Sequence, residues 1–229
     1  AQLIRATTGV KTYFDFILEK RIPMGAGLGG GSSDAVATLK GIRKLCPGVS
    51  SDTDLADMAL TLGSDCRFFL EFQPMIMKGR GETLEKVSPA LKDFLSRQEI
   101  CLFKPAFSIS TAWAYGQMKQ AGGRFYTDPV IAEKECSQWI QAKLEPDDLL
   151  MRNDFESVVF EKYLALPALF YQLRERGLHP LMSGSGSACF LLKQPGVEEE
   201  AVASLVKDAW GEAAYFGAYR MAPSKFSER

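Results

Sequence analysis

A single histidine, His179, stands among the 229 residues, and this puts most imidazole chemistry out of reach. Ser-His-Asp hydrolysis would have to run through that one ring, and the G-x-S-x-G elbow that presents such a serine is missing. His179 reads instead as a polar residue entering a strand ahead of Pro180. Cysteine is sparse and scattered. Cys46, Cys66, Cys101, Cys136 and Cys189 form no CxxC pair and lie in apolar stretches, which argues against a disulfide framework or a zinc site and for reduced thiols acting as small hydrophobes. No apolar run reaches the roughly 18 residues that span a bilayer. The opening Ala1-Gln2-Leu3-Ile4-Arg5 has neither a basic n-region nor an apolar h-region, so the expectation is a cytoplasmic chain with no membrane partner. Neither sign of charge is in excess: 27 Lys plus Arg against 28 Asp plus Glu give a net −1. Without a basic block, nucleic acid is excluded as the main ligand.

With 46% hydrophobic and 24% charged residues the chain is an ordinary globular one, long enough for one large domain or two small ones. Residues 12 to 18, aromatic and β-branched, predict a strand. Ala35, Leu39, Ile42 and Cys46 recur at helical spacing from about Ser32 to a stop at Pro47-Gly48. Ser51 with Asp54 three residues on predicts a capped second helix with Leu55, Met58, Ala59 and Leu62 on one face and Gly63 as its stop. Apolar runs at 67 to 72 and 75 to 78 lead to the turn Gly79-Arg80-Gly81. A break with a short polar helix near Ser88-Pro89 marks a domain boundary, giving domains at 1–90 and 98–229. Beyond it, a strand over residues 99 to 104 ends at Pro105. Helical patterns follow near 110 to 120, 130 to 143, 154 to 164 and 167 to 176. Then come strand, tight turn and strand through 181 to 192, a helix near 197 to 209 and a strand near 213 to 220. The mixture lacks a βαβ rhythm and predicts an α+β fold.

Five of the 20 glycines fall between positions 25 and 31. Glycine at that density is costly unless the backbone needs positive φ or very close approach to another group. Placed between a strand and a helix start, the loop points to anion binding, because helix N-termini carry unpaired N–H groups and the positive end of the dipole. Two familiar phosphate loops fail. Gly25-x-Gly27-x-x-Gly30 matches the dinucleotide fingerprint, but no second parallel strand ends at Asp52 or Asp54. Gly25-x-x-x-x-Gly30 begins a Walker A loop, but Gly31 stands where its lysine is required. The phosphate cation has to come from elsewhere.

The run Pro23-x-x-x-Gly27-Leu28-Gly29-Gly30-Gly31-Ser32-Ser33-Asp34-Ala35 resembles the ATP loop of the GHMP kinases, the superfamily of galactokinase, homoserine kinase and mevalonate kinase. Its triple glycine before two serines resembles the branch of 4-diphosphocytidyl-2-C-methyl-D-erythritol kinases. Further segments resemble that branch in order: Thr61-Leu62-Gly63-Ser64-Asp65, Gly79-Arg80-Gly81-Glu82, residues 108 to 115, Asn153-Asp154-Phe155-Glu156 and residues 182 to 187. The resemblance implies a two-domain α+β fold, with an N-terminal domain like domain 2 of ribosomal protein S5 and a ferredoxin-like C-terminal domain. It implies ATP and Mg²⁺ as cofactors, a cytidine diphosphate substrate phosphorylated on its 2-hydroxyl in the non-mevalonate isoprenoid route, and a monomer or homodimer.

Carried onto this sequence, the resemblance makes Asp65 the catalytic base. It makes Pro23, Met24, Gly25, Ala26, Gly27, Leu28, Gly29, Gly30, Gly31, Ser32 and Ser33 the ATP loop, with Ser32 or Ser33 adding a hydroxyl to phosphate or Mg²⁺. Thr111 and Tyr115 line the cytosine pocket, and Gly184, Ser185 and Gly186 lie against the phosphate loop or the substrate diphosphate. Metal-ligating side chains are not indicated, and Asn153 and Asp154 read as caps of the helix after them. Two departures stand out. Cys66-Arg67 replaces the usual valine and proline after the aspartate, and the family's leading lysine strand and aromatic-histidine segment have no counterpart before the loop. Lys11 and Lys20 flank the predicted strand and are assigned no role. The expectation is a small kinase with its front edge missing. Another small-molecule GHMP kinase, or a nucleotide-binding domain without turnover, are the alternatives.

Overall fold

The structure, a computed structural model, describes residues 1 to 221 apart from Phe72, Arg80, Glu82 and residues 142 to 150. Arg80 and Glu82 of the Gly79-to-Glu82 turn, and the end of the helix expected at 130 to 143, therefore lie outside the described residues. The chain forms two units. Among the described residues, one comprises Ala1–Ile22 and Gly29–Val87, and the other comprises Pro23–Leu28 and residues 88 to 221.

In the first unit, α1 (Gln2–Thr8) is stopped by Gly9 in the left-handed conformation. The amphipathic α2 (Gly30–Leu45) buries Val36, Leu39 and Ile42. Ser51 caps α3 (Asp52–Leu62) in a full capping box with Asp54, whose carboxyl is held below the usual range chiefly by hydrogen bonds from the Ser51 amide and hydroxyl. Ile4, Leu39, Ile42, Leu55 and Met58 close into one apolar cluster. After α3 come a 3₁₀ turn (Ser64–Cys66), the short helix α4 (Phe68–Glu71) and the hairpin β1 (Met75–Lys78) with β2 (Thr83–Lys86). Within the apolar run at 67 to 72, residues 68 to 71 are thus helical, and Leu62 is exposed rather than buried with its face.

The strand predicted at 12 to 18 does not form. β-Propensity expresses fit to a neighbouring strand rather than a backbone preference, and among the described residues no strand pairs with this segment. Phe14 packs on the Ile4 cluster, while Tyr13, Phe16, Ile17 and Leu18 are exposed.

The second unit opens with α5 (Pro89–Ser96), which has Ser88 as cap and Pro89 at its first position. Next are β3 (Glu99–Lys104), α6 (Thr111–Gln120), α7 (Pro129–Gln141), α8 (Phe155–Lys162), α9 (Ala165–Arg174), β4 (Leu181–Met182), β5 (Cys189–Leu192), α10 (Glu199–Trp210) and β6 (Tyr215–Arg220). The sheet is antiparallel in the order β4-β5-β3-β6. Its register is set by Leu181 opposite Phe190, Phe103 opposite Cys189, and Phe103 opposite Phe216. With the helices of 111 to 174 between β3 and β4, and α10 between β5 and β6, the connectivity is β-α-β-β-α-β, the ferredoxin-like arrangement. Cys101, Phe103 and Leu191 of the sheet meet Leu169, Phe170, Leu173, Val202 and Val206 of the helices in a dry core.

Candidate active site

The second unit holds the first part of the glycine loop, Pro23–Leu28, and the turn at 183 to 187 lies against it. The Gly27 carbonyl accepts from Ser183 Oγ at 2.9 Å, and the Ala26 carbonyl accepts from the Ala188 amide at 3.1 Å. A Cβ on Gly27 (φ 73°) would lie 2.0 Å from the Ser183 carbonyl oxygen, and one on Gly184 would lie 3.1 Å from the Gly27 carbonyl oxygen. Glycine at 27 is therefore a steric requirement of two backbones in contact. Of the turn residues, Gly184 and the amide of Gly186 lie beside Gly27.

The turn is held from behind by side chains. Thr111 Oγ1, on the first residue of α6, shares a 2.8 Å hydrogen bond with Ser185 Oγ. Asn153 Nδ2 donates to the carbonyls of Met182 and Gly184, each at 2.7 Å, and its Oδ1 accepts from the Phe155 amide at 3.0 Å. Glu156 Oε1 accepts from the Met182 amide at 2.8 Å, and Ser187 Oγ donates to Phe107 O at 2.6 Å. The buried Lys104 spans the base of the same segment, its Nζ 2.9 Å from the carbonyl oxygens of Pro105 and Phe107. Burial pushes its pKa down. The caps predicted at 153 and 154 are thus only half right. Asn153 bonds the Phe155 amide but also grips the turn, whereas the Asp154 carboxylate accepts from the amide and hydroxyl of Thr127. The rings of Tyr115 and Phe155 are nearly perpendicular with centroids 4.8 Å apart, and Tyr115 is 56% exposed.

The rest of the loop belongs to the first unit. Gly29 (φ 64°) is the cap of α2, and its missing Cβ makes room for Phe69, whose ring would be 2.8 Å away. Ser33 N bonds Gly29 O at 2.9 Å, so the amides of Gly30, Gly31 and Ser32 form the unpaired first turn of a 16-residue helix. Lys20 lies beside that turn, with its Nζ 2.5 Å from Asp34 Oδ2 and 3.5 Å from the Cβ position of Gly30. Nine residues of irregular chain separate this lysine from Gly30, and no periodicity in the sequence reports such a fold-back.

Asp65 occupies the 3₁₀ turn after α3 and is exposed, with Oδ1 accepting from Ser64 Oγ at 3.3 Å. The hairpin turn buttresses it. Gly81 (φ 104°) is buried, and a Cβ there would lie 2.9 Å from Ser64 O and 3.0 Å from the Met77 methyl. A glycine loop opening a helix, a cation beside it and an exposed carboxylate on a braced turn are parts that phosphoryl transfer can use for positioning, charge neutralisation and proton acceptance.

The GHMP kinases N terminal domain matches residues 1–70 and the GHMP kinases C terminal family matches residues 141–215. The chain is 34% identical to the 4-diphosphocytidyl-2-C-methyl-D-erythritol kinase of Parabacteroides distasonis over 84% of its own length and 69% of the relative's. A crystal structure of 4-(cytidine 5'-diphospho)-2C-methyl-D-erythritol kinase superposes with a TM-score of 0.65 at 32% identity, covering 87% of this chain and 68% of that one. The homoserine kinase of Cytophaga hutchinsonii, at 15% identity and a TM-score of 0.59, shares the fold. The chain spans about two thirds of the length of these relatives. It belongs to the GHMP kinases and, within them, to the 4-diphosphocytidyl-2-C-methyl-D-erythritol kinase family.

Proposed function

We propose that the chain transfers the γ-phosphoryl group of ATP to the 2-hydroxyl of 4-diphosphocytidyl-2-C-methyl-D-erythritol in the non-mevalonate isoprenoid route. The observation that carries the reading is the glycine loop of this branch, resting backbone on backbone against a serine-glycine turn that Thr111 and Asn153 hold in place. Cradles of this kind bind phosphates through main-chain amides, and missing Cβ atoms admit them. In this reading residues 23 to 33 hold the ATP phosphates, and Lys20 supplies the cation that Gly31 cannot. The Asp65 carboxylate takes the proton of the attacking hydroxyl. Tyr115 stacks on the cytosine, Thr111 lines the same pocket, and Gly184, Ser185 and Gly186 receive the substrate diphosphate.

Mg²⁺ accompanies ATP and neutralises charge on the transferring phosphoryl group. Among the described residues no group of three or more His, Cys, Asp or Glu side chains could hold a metal. A hard cation of this kind keeps phosphate oxygens and waters as ligands, with a hydroxyl of Ser32 or Ser33 available to it. The reading places the chain in the cytoplasm as a monomer or homodimer without nucleic acid partners. Among the described residues no helix is long and apolar enough to cross a membrane.

The test is ADP release measured with the cytidyl substrate, mevalonate and homoserine as acceptors. A kcat/KM at least about 10³-fold higher for the cytidyl substrate is expected, because a site built to pair polar groups rejects ligands that lack them. Comparable turnover of mevalonate or homoserine, or tight ATP binding with turnover of none of the three, overturns it.

A further inference from the structure

A groove of about 790 Å³ opens on the first unit between α2, α3 and α4, lined by none of the residues assigned to ATP or to the cytidyl substrate. Its volume is in the range of small-molecule sites, roughly 300 to 1,000 Å³. Lys40, Arg43 and Lys44 of α2 form one wall, and Arg67 faces in from the turn before α4. Asp52 and Glu71 are the acidic groups of the lining. Four cations against two carboxylates leave the groove positive on a chain whose net charge is −1.

The cations are placed by the fold. Lys40 Nζ donates to the Leu70 carbonyl at 2.8 Å, and Arg43 Nη1 lies 2.5 Å from Asp52 Oδ1, so both heads are fixed across helix boundaries. Arg67 closes the 3₁₀ turn in helical conformation, and its carbonyl accepts from the Leu70 amide at 3.1 Å. Arg43 and Lys44 sit in the last turn of α2, where cations offset the helix dipole. That role does not account for Lys40, a turn earlier, or for Arg67, on another element. Apolar residues, Leu55 and Leu70 among them, complete the lining. Burial lowers the Lys40 pKa, Glu71 opposes this and Arg43 adds to it; a bound anion would supply the compensation that desolvation removes.

We propose that this groove binds a small organic diphosphate, its phosphates taken by the guanidinium forks of Arg43 and Arg67 and the ammonium groups of Lys40 and Lys44, its organic part lying on Leu55 and Leu70. Guanidinium matches phosphate oxygens in pairs and lysine adds point charge, while the apolar floor has no use for a free inorganic anion. Because Arg67 stands two residues after Asp65, an occupant is coupled by the shortest covalent path to the turn carrying that carboxylate.

Calorimetric titration of the chain, with a non-hydrolysable ATP analogue held at saturation, tests this with two probes: inorganic pyrophosphate and butyl diphosphate. The expected result is one further site per chain that takes butyl diphosphate about tenfold or more tightly than pyrophosphate, the difference coming from buried methylenes. In the Lys44→Met, Arg67→Met double variant that binding is expected to weaken at least tenfold, with the melting midpoint and ATP affinity kept. Lack of a further site in the parent chain, equal affinity for the two probes, or undiminished binding by a double variant that melts normally each overturns the proposal. Should the double variant fail to fold, Lys44→Glu alone carries the same expectation.

Discussion

The side-chain amide of Asn153 donates to the carbonyl oxygens on both sides of Ser183, those of Met182 and Gly184, at 2.7 Å each. One planar group thereby sets the entry to the turn that supports the glycine loop. Replacing it by alanine removes two donors at roughly 1 kcal/mol each, so Asn153→Ala is expected to lower the unfolding free energy by about 2 kcal/mol and raise KM for the cytidyl substrate. Asn153→Asp is expected to do no better, because a carboxylate has nothing to donate. Thermal melts and steady-state kinetics on the two variants check both statements.

Gly27 and Gly48 both have positive φ, yet only Gly27 faces a backbone, with the Ser183 oxygen 2.0 Å from its Cβ position against open space around Gly48. Gly48→Ala is expected to cost only the backbone strain of about 1 kcal/mol or so. Gly27→Ala is expected to push loop and turn apart and raise KM for ATP by tenfold or more. Equal behaviour of the two variants in an ATP titration would count against the steric argument.

Asp65→Asn keeps the volume of the side chain and the brace from Gly81, and removes only the proton acceptor. A fall in kcat of about 10² to 10⁴ with ATP affinity unchanged is expected, read by turnover and by fluorescent nucleotide binding. Normal turnover would remove Asp65 from the mechanism.

Tyr115 is exposed and packs T-shaped with Phe155. Tyr115→Phe is expected to preserve KM for the cytidyl substrate, and Tyr115→Ala to raise it by an amount equivalent to about 1 to 3 kcal/mol of stacking, with KM for ATP little changed.

All five thiols are free. Burial pushes Cys189 well above the ordinary thiol range, with Glu156 adding to it, and raises Cys101 in the same way, with Glu199 and Glu99 adding and Lys193 opposing. Native protein at pH 8 is therefore expected to react with an aromatic disulfide reagent first at the part-exposed Cys46 and Cys136, and at Cys101 and Cys189 only on unfolding. A raised folded value means the unfolded thiols ionise first, so stability present below the ordinary thiol pKa is lost as pH rises past it. A melting series from pH 8 to 10 reads this out.

Local chemistry made much of the fold legible. The Ser51-Asp54 box, Pro89 after Ser88, the run at 99 to 104 ended by Pro105 and the glycine turn between β4 and β5 each announce an element through a short-range rule, and each element is present. Residues 12 to 18 carry an equally good strand composition and form none, because a strand is defined by a partner that composition does not mention. The site divides along the same line. The glycines of the loop and the turn could be read, since their cost demands a reason. Lys20 against Asp34, and Asn153 against the turn, could not, because each contact joins segments far apart in the chain.

The contact between Gly27 and Ser183 joins residues 156 apart in sequence. A ribosome that has finished the glycine loop has most of the chain still to make before the turn that shapes that loop exists. The geometry of the glycine loop therefore matures only once the turn at 183 to 187 has been made, and a nascent chain stopped short of β5 would carry every residue from 23 to 33 without the contact that shapes the loop proposed to hold ATP.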